Sequence, residues 1–300
     1  MIYTLTMNPS IDYIMELESL NAGTMNRSRN SYILPGGKGI NVSSVLNALG
    51  AENTAILPVV GFTGEKLLAL LEEKGIRYDA IKLEKGDTRI NVKVLAKEET
   101  ELNAKGPEVS KDALKDLYKK MESFKVGDVL ILSGSVPGEM GSGFYKELIA
   151  FVRKNGVEVI LDTIGEAFLK GLSEGPFLVK PNKEELEEAL QTEANTEDEL
   201  VRLAKKVQDL GARNVLVSLG KEGAMLLTQE GEVLWQNAPG GKVINSVGAG
   251  DSMVAGFVAE YQKSGNMKMA LKVAVAAGSA SAFSKNLAIK EEIDALIDKL

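Results

Sequence analysis

The sequence predicts an α/β protein with a mostly parallel central sheet and helices on both of its faces. Short apolar runs such as Val129 to Leu132 and Val157 to Leu161 are almost free of polar residues, as strands buried on both faces are. Helical stretches alternate with these runs through the second half of the chain, which is the order that crossover connections produce. Ligands of such sheets bind at the carboxyl ends of the strands.

Two segments in the first half interrupt this alternation. Residues 11–34 and about 80–105 read as short strands with turns, and Arg89, Asn91 and Lys93 alternate with β-branched residues. We expect the two segments to form one small sheet that acts as a lid on a single domain of residues 1–300. The polar face of this sheet has a second interpretation, as a face turned to solvent.

The other elements follow from hydrophobic periodicity and turn residues. Ile2 to Met7 is an apolar strand that Pro9 ends, and a helix behind Pro35 keeps apolar residues at helical spacing until Gly50. The remaining predicted elements are strands at 54–60, 129–132, 157–161, 177–179 and 214–219, a hairpin of 224–228 with 233–236, and helices at 65–74, 144–154, 184–190, 196–210, 252–263, 267–283 and 289–300.

Composition excludes several classes of protein. The net charge of -7 argues against a general surface for nucleic acids or anionic membranes. The chain has no Cys and no His, which excludes Ser-His-Asp and Cys-His catalysis, the usual zinc sites and disulfides. Any general base must therefore be Asp, Glu, Lys or Tyr. The start does not read as a signal peptide and no apolar run approaches the ~18 residues of a membrane span, so we expect a cytoplasmic protein.

The residues around Gly248 form the most informative stretch. Lys242 to Ile244 predicts a short strand and an apolar helix follows Asp251, so a glycine-rich turn opens that helix. Free N–H groups and the helix dipole at such a start bind anions, and the glycines Gly248 and Gly250 let a phosphate approach the backbone. Asp251 then lies where a base is needed. A tight turn with Asp251 capping a buried helix is the other interpretation.

This turn is neither of the two best-known glycine-rich phosphate motifs. The next glycine after Gly250 is Gly256, which breaks the G-x-G-x-x-G spacing of dinucleotide-binding turns. The P-loop pattern G-x-x-x-x-G-K-[ST] occurs nowhere in the chain. The sequence therefore disfavours a dinucleotide-dependent oxidoreductase and excludes a P-loop protein.

Four short motifs follow one another along the chain. They are Pro35-Gly36-Gly37-Lys38-Gly39-Ile40-Asn41-Val42, Lys180-Pro181-Asn182-Lys183-Glu184-Glu185, Ser218-Leu219-Gly220-x-x-Gly223 and Val247-Gly248-Ala249-Gly250-Asp251-Ser252. Together, and over essentially the whole chain, they resemble the ribokinase-like carbohydrate kinases, specifically the phosphofructokinase B branch. Within this branch, residues 3–12 and 86–93 look most like bacterial 1-phosphofructokinases, and tagatose-6-phosphate kinases are close relatives.

The resemblance implies transfer of the γ-phosphate of ATP to a hydroxyl of a sugar phosphate, with fructose 1-phosphate as the expected acceptor. Asp251 matches the family's base, which takes the proton of the hydroxyl. The turn N–H groups of Ala249 and Gly250 offset charge on the phosphate oxygens. Tagatose 6-phosphate and fructose 6-phosphate stay open as acceptors, and so does a non-catalytic regulator that binds sugar phosphates.

The resemblance also implies a set of residues for the sugar. Asp12, Gly37 and Asn41 match positions that hold sugar hydroxyls, a task that suits a carboxylate and an amide. Gly36 and Ser135 are further candidates on the substrate side. From the residues alone, Asp12 as a turn cap and Asn41 as a polar residue early in a helix are open alternatives.

A substrate that already carries a phosphate needs cations. Arg27, Lys38 and Arg89 are the candidates, because Arg makes bidentate contacts with phosphate and Lys acts as a point charge. Lys38 favours a 1-phosphate or a tagatose substrate, since the family's fructose-6-phosphate enzyme has glycine there. Ordinary surface charge is the other interpretation of Arg27.

On the nucleotide side, Asn182 and Glu185 match the family's N-x-x-E motif, which organises Mg²⁺, often through water. The same two residues have the spacing of a capping box, and both roles are compatible. The residues expected near the nucleotide are Lys180, Asn182, Ser218, Gly220, Gly223 and Ser279. For Ser279, tight packing between helices is the alternative.

The expected partners are a sugar phosphate, ATP and a second copy of the chain. Relatives pair through the exposed face of the lid, which implies a homodimer. The chain departs from the family pattern at Ser246, where Thr is common, and at Asn286-Leu287-Ala288, which replaces a turn that contains glycine.

Overall fold

The computed structural model describes residues 1–300 and contains two sheets and ten α-helices. The strands are β1 (Ile2–Leu5), β2 (Ser10–Glu16), β3 (Asn30–Gly36), β4 (Asn53–Val59), β5 (Tyr78–Lys82), β6 (Arg89–Leu95), β7 (Glu99–Asn103), β8 (Val129–Ser133), β9 (Glu158–Asp162), β10 (Leu178–Val179), β11 (Asn214–Ser218), β12 (Ala224–Leu227) and β13 (Val233–Gln236). The helices are α1 (Lys38–Ala48), α2 (Gly61–Glu73), α3 (Lys111–Met121), α4 (Phe144–Arg153), α5 (Gly165–Leu172), α6 (Lys183–Leu190), α7 (Glu197–Asp209), α8 (Ala249–Ser264), α9 (Met267–Phe283) and α10 (Lys290–Ile297).

Nine strands form the central sheet, in the order β13-β12-β11-β10-β9-β8-β1-β4-β5. Every neighbouring pair from β11 to β5 is parallel. The hairpin predicted at 224–236 is confirmed as the antiparallel strands β12 and β13 at one edge. The predicted fold class, a mostly parallel sheet between two layers of helices, is confirmed.

Strand β8 shows why the strands read as unbroken apolar runs. Leu130 and Leu132 pack into a core cluster with residues of α3 to α7 on one face of the sheet. Val129 and Ile131 point to the opposite face and join a second cluster with residues of α1, α8, α9 and α10. Since both faces of the strand are buried, residues 129–132 are all apolar.

Four strands form a separate small sheet, in the order β3-β2-β6-β7. The register pairs Asp12 with Asn91 on one face, and Tyr13 with Val92 and Leu102 on the other. The second face is apolar and open, because Tyr13 is 37% and Leu102 is 60% exposed. That this sheet closes over bound substrate stays a prediction.

Two parts of the predicted organisation differ from the structure. The second lid segment is predicted to begin at about residue 80. Instead, Tyr78–Lys82 pairs parallel with β4 in the central sheet, and the chain enters the small sheet only at Arg89. Helix α2 makes this possible because it is the crossover between β4 and β5. The strand predicted at Lys242 to Ile244 is absent, because backbone hydrogen bonds from Ile244 and Asn245 to the carbonyl of Ala282 hold this segment against the end of α9.

Helices α3 and α5 were not predicted. Ala113, Leu117 and Met121 of α3 are buried at a spacing of four residues, and the many charges between them obscure this short apolar stripe. Helix α5 has only eight residues and includes Gly165 and Gly171, so its periodicity is too short to recognise. None of the ten helices combines the length and the apolar character that crossing a membrane requires.

Candidate active site

The polar groups of the site gather where the parallel strands end. Gly39 lies against the end of β1, since a Cβ there would stand 2.9 Å from the carbonyl oxygen of Leu5. Gly250 lies beside Lys180, which follows β10, because a Cβ on Gly250 would stand 3.1 Å from the Lys180 Nζ atom. The N-termini of α1 and α8 therefore meet the carboxyl ends of the strands, as expected for ligand sites in parallel sheets.

Gly248 sets the geometry of the turn that opens α8. Its φ of +79° lies in the left-handed region that favours glycine, and a Cβ would collide with the side chain of Leu287. The N–H of Ala249 donates to the carbonyl of Ser246 at 3.2 Å, whereas the N–H groups of Gly250 and Asp251 have no acceptor in the protein. The free donors for an anion are therefore those of Gly250 and Asp251.

Asp251 lies in the first turn of α8 and is only 4% exposed. Its Oδ2 accepts a hydrogen bond of 2.8 Å from the Asn41 amide, so two predicted residues that are 210 positions apart are brought into contact. Burial raises the pKa of Asp251 to about 6, and the negative charge of Asp162 adds to the rise. Lys38, Asn41 and Lys180 act in the opposite direction.

Beside Asp251, two lysines share one buried carboxylate. Lys180 Nζ lies 3.4 Å from Oδ1 of Asp162, and Lys38 Nζ lies 3.6 Å from Oδ2. Burial alone would raise the pKa of Asp162, but the two ammonium groups outweigh burial and hold this pKa below its usual value. Sequence reasoning missed Asp162, although a carboxylate at the end of an apolar strand is a recognisable signal.

The carboxylate of Asp12 is held in the small sheet. Its Oδ1 accepts hydrogen bonds from Ser10 Oγ at 2.7 Å and from the Asn91 amide at 3.1 Å, and Lys93 Nζ lies 3.4 Å from its Oδ2. Gly36 is required here, because a Cβ would occupy the space of this carboxylate. Asp12, Lys93 and Asn41 line one cavity of about 460 Å³ between the small sheet and α1.

The three cations predicted for the substrate's phosphate do not gather at one point. Arg89 is half-buried and its guanidinium donates to the backbone carbonyls of Asn8 and Ala104, while Lys38 turns toward Asp162. Arg27 is exposed and forms no ion pair. Burial lowers the pKa of Arg89.

Two other substrate-side candidates take different positions. Gly37 is the N-cap of α1 with a φ of +122°, and a Cβ there would stand 2.6 Å from the Thr6 Cγ2 atom. Glycine is therefore required here by the backbone conformation and by the close approach of Thr6, which follows β1. Ser135 is exposed in the segment that follows β8.

Asn182 and Glu185 form the capping box that their spacing suggests. The Asn182 side chain accepts from the Glu185 N–H at 2.7 Å, and Oε2 of Glu185 accepts from the Asn182 N–H at 2.8 Å. A β-bridge joins Asn182 to Ser218, so the ends of β10 and β11 stay together. Asn182 and Ser218 therefore lie at the same carboxyl-end edge of the sheet as Lys180.

The remaining nucleotide-side candidates have structural roles as well. Gly220 adopts a φ of +56°, and Gly223 faces the backbone of Gln236 so closely that no side chain fits. Close packing of α9 against α8 requires glycine at position 278, where a Cβ would stand 3.1 Å from the Ala249 carbonyl oxygen. Ser279 is half-buried next to it.

A buried carboxylate, free helix N–H groups and two lysines lie at one strand-end edge, and these are groups that phosphoryl transfer uses. Residues 5–294 match the pfkB family of carbohydrate kinases, and the chain belongs to this family. The protein is a sugar-phosphate kinase, and its family implies ATP as the phosphate donor.

Relatives and solved structures agree with this family. The chain is 41% identical to a 1-phosphofructokinase of Bacillus subtilis over 100% of the chain and 98% of the relative. It is 36% identical to a D-tagatose-1-phosphate kinase of Bacillus licheniformis, over 98% and 96%. The structure of phosphofructokinase-2 from Escherichia coli with fructose-6-phosphate has a TM-score of 0.93 at 30% identity and covers 100% of this chain and 98% of that one. The ribokinase-like fold predicted from the sequence is confirmed.

Proposed function

We propose that the protein transfers the γ-phosphate of ATP to the free primary hydroxyl of D-fructose 1-phosphate and so forms fructose 1,6-bisphosphate. The hydroxyl oxygen forms a bond to the γ-phosphorus, and the bond from this phosphorus to the oxygen of ADP breaks. The hydroxyl proton passes to the carboxylate of Asp251. The observation that carries the proposal is the buried Asp251, with a pKa of about 6, at the open N-terminus of α8.

The surroundings of Asp251 suit a phosphoryl group in transfer. The free N–H groups of Gly250 and Asp251 and the dipole of α8 offer donors on one side. Lys180 and Lys38 offer positive charge around Asp162, within Coulombic range of Asp251. We therefore assign Lys180, beside Gly250, and Lys38 to the transferred phosphoryl group, with Gly248 and Ala249 shaping the turn. Arg89 and the exposed Arg27 remain our candidates for the phosphate that the sugar already carries.

The nucleotide is expected at the ends of β10 and β11. Lys180 and Asn182 lie there, Ser218 is bridged to Asn182, and the turn at Gly220 follows. Ser279 follows Gly278, which packs against the start of α8. On the sugar side, Asp12 and Asn41 face one cavity and supply a carboxylate and an amide for hydroxyl groups.

The site suits Mg²⁺ as a cofactor. Mg²⁺ takes few protein ligands and keeps several waters, so one or two carboxylates are enough. Oδ2 of Asp162 is buried and accepts no hydrogen bond, with the Lys38 ammonium 3.6 Å away, and the capping box leaves Oε1 of Glu185 free. Asp162 and Glu185, with Asn182, would hold the ion, which when bound neutralises charge on the ATP phosphates.

The choice of fructose 1-phosphate as the substrate is supported by sequence identity to named kinases rather than by any single contact in the structure. Relatives named as 1-phosphofructokinase, D-tagatose-1-phosphate kinase, tagatose-6-phosphate kinase and 6-phosphofructokinase share 29–41% identity with the chain, and a 1-phosphofructokinase has the highest of these values, 41%. Tagatose 1-phosphate, tagatose 6-phosphate and fructose 6-phosphate are therefore the competing acceptors within this proposal. A non-catalytic regulator is disfavoured, because Asp251, Asn41 and both lysines are in place.

A panel of acceptors tests the substrate. With ATP and Mg²⁺ in excess, we expect kcat/KM for fructose 1-phosphate to exceed that for fructose 6-phosphate and tagatose 6-phosphate by at least ~10-fold, the ratio that about 1.4 kcal/mol of selective binding produces. The product is identified as the bisphosphate by its ³¹P spectrum. A higher kcat/KM for either 6-phosphate would contradict the proposed substrate and leave the kinase assignment intact.

The pH dependence tests the role of Asp251. Because only the ionised carboxylate accepts a proton and its pKa is about 6, we expect kcat to fall as the pH drops through about 6. The phosphate of the substrate also titrates near pH ~6, so a variant must separate the two groups. Asp162→Asn removes a repulsive charge and should move the acid limb of Asp251 to lower pH, whereas the substrate's own titration is unchanged. An identical acid limb in both proteins would argue against Asp251 as the titrating group.

The apolar face of the small sheet is the proposed contact with a second copy of the chain. Tyr13 and Leu102 are exposed there, and each is paired with Val92 across a neighbouring strand. Ile90 of β6 is 38% exposed. An exposed apolar sheet face of this kind is a common protein interface. We infer a homodimer through this face.

A further inference from the structure

The polar face of the small sheet contains a cluster of which the proposed function uses only the carboxylate of Asp12. Asp12 lies at its centre and contacts Ser10, Asn91 and Lys93. Lys93 is 13% exposed in its side chain, and its Nζ atom lies 3.4 Å from Asp12 and 3.1 Å from Glu101. Neighbouring strands β2, β6 and β7 supply these groups, so the cluster is part of the sheet itself.

The contact between Asn91 and Asp12 leaves the amide oxygen of Asn91 itself without a hydrogen bond. The Asn91 amide nitrogen donates to Ser10 Oγ and to Asp12 Oδ1, both at 3.1 Å, while its buried Oδ1 has no donor. A buried acceptor without a donor is costly, so the orientation that serves Asp12 outweighs this loss. Gly36 adds to the restraint, because only glycine leaves space for the carboxylate.

The charge of the cluster indicates what it binds. Two carboxylates, Asp12 and Glu101, surround the ammonium group of Lys93, and the guanidinium of Arg89 lies within Coulombic range of Asp12. The ammonium group of Lys93 is already paired with carboxylates, so the cluster suits neutral hydroxyl groups better than a phosphate. Asp12 and Lys93 line the cavity that also contains Asn41, where the sugar ring is expected.

We propose that Lys93 and Asn91 are positioning residues that fix the carboxylate of Asp12 and thereby set which hydroxyl configuration of the sugar the enzyme prefers. The inference rests on the proposed sugar-phosphate kinase chemistry. A carboxylate held by three partners presents its free lone pairs in one direction, so a hydroxyl of one configuration donates to it and that of the epimer does not. Without Lys93 the carboxylate turns more freely and discriminates less.

The test compares two substrates that differ only in the configuration at C4, D-fructose 1-phosphate and D-tagatose 1-phosphate. For Lys93→Met we expect kcat/KM of the preferred epimer to fall roughly 10- to 100-fold, mainly through KM, as expected when a charge-assisted contact is lost. The ratio of kcat/KM between the epimers should approach one. Lys93→Arg should restore most of the ratio, and KM for ATP should stay within about twofold.

Two further variants act as controls. Lys97→Met removes an exposed lysine from the turn after β6 and should leave both the ratio and KM unchanged. Asn91→Ala should lower the epimer ratio in the same direction as Lys93→Met, and it keeps the test decisive if the methionine variant does not fold. Thermal unfolding of each variant identifies a loss of folded protein.

Other results would overturn the inference. An equal loss for both epimers, with their ratio preserved, would show that Lys93 serves the phosphate instead. An unchanged KM in Lys93→Met would show that Asp12 needs no such support. If the wild-type protein accepts only 6-phosphates, the proposed substrate fails, and the same ratio is measured with fructose 6-phosphate and tagatose 6-phosphate, which are also C4 epimers.

Discussion

Replacing Asp251 with asparagine should lower kcat by ~10²–10⁴-fold, which is the usual contribution of a general base. Asparagine keeps the size of the side chain, and its carbonyl oxygen still accepts the hydrogen bond from Asn41, so the site should stay assembled. We expect Kd for the sugar phosphate and for ATP to change by less than about threefold. Steady-state kinetics and calorimetric binding on the same protein separate these two effects.

The same substitution should increase stability. The folded-state pKa of Asp251 is about 6 and its ordinary value is 3.8, so stability present below pH 3.8 is lost as the pH rises through about 6. Ionised Asp251 therefore costs the fold up to about 3 kcal/mol at pH 8, which a neutral amide avoids. We expect the Tm of Asp251→Asn to rise by a few degrees at pH 8 and to match that of the wild type near pH 4.

Asp112 provides a matched control, because its pKa is shifted in the opposite direction from that of Asp251. Asp112 also lies in the first turn of a helix, but it is exposed and its pKa is lowered by a hydrogen bond and an ion pair with Lys115. Asp112→Asn should therefore leave kcat unchanged and give no rise in Tm. If Asp251→Asn lost activity together with Tm, the loss would be one of folding, and the base assignment would have no support.

Replacing Lys180 with methionine should have the second largest effect. Methionine has a similar length without the charge, so the transferred phosphoryl group loses a cation next to Gly250. We expect kcat to fall by ~10²–10³-fold, the usual effect of removing one electrostatic donor. Asp162 is then buried with only Lys38 beside it, and the free energy of unfolding should drop by about 3 kcal/mol.

A double variant separates the two consequences of losing Lys180. In Lys180→Met with Asp162→Asn the buried unpaired charge is gone, so most of the stability should return. Activity should stay low, because the cation is still missing and a carboxylate proposed for Mg²⁺ is missing as well. Recovery of activity along with stability would show that Lys180 only compensates Asp162, and the proposed contact with phosphate would be wrong.

The sequence could predict residues whose role depends on the local chain. The turn at Gly248, the helix that follows it and the capping box of Asn182 with Glu185 are all local patterns, and the structure contains each of them. The contact of Asn41 with Asp251 joins two such patterns, and parallel topology explains it, since both helices start at the same sheet edge.

Residues whose role depends on partners far along the chain were missed. Asp162 is informative only once Lys38 and Lys180 lie beside it, and Lys93 only once Asp12 and Glu101 face it across neighbouring strands. A lysine in an alternating strand otherwise reads as a solvated face. The register of the small sheet, which a single sequence does not specify, decides between these interpretations.

A crystal structure of the Asp251→Asn protein with fructose 1-phosphate and a non-hydrolysable ATP analogue would measure the decisive geometry. We predict that the acceptor hydroxyl lies within about 3 Å of the residue 251 side chain and in line with the terminal phosphorus, the arrangement that proton removal during transfer requires. A hydroxyl held elsewhere, with residue 251 facing only Asn41, would contradict the assignment of Asp251 as the base.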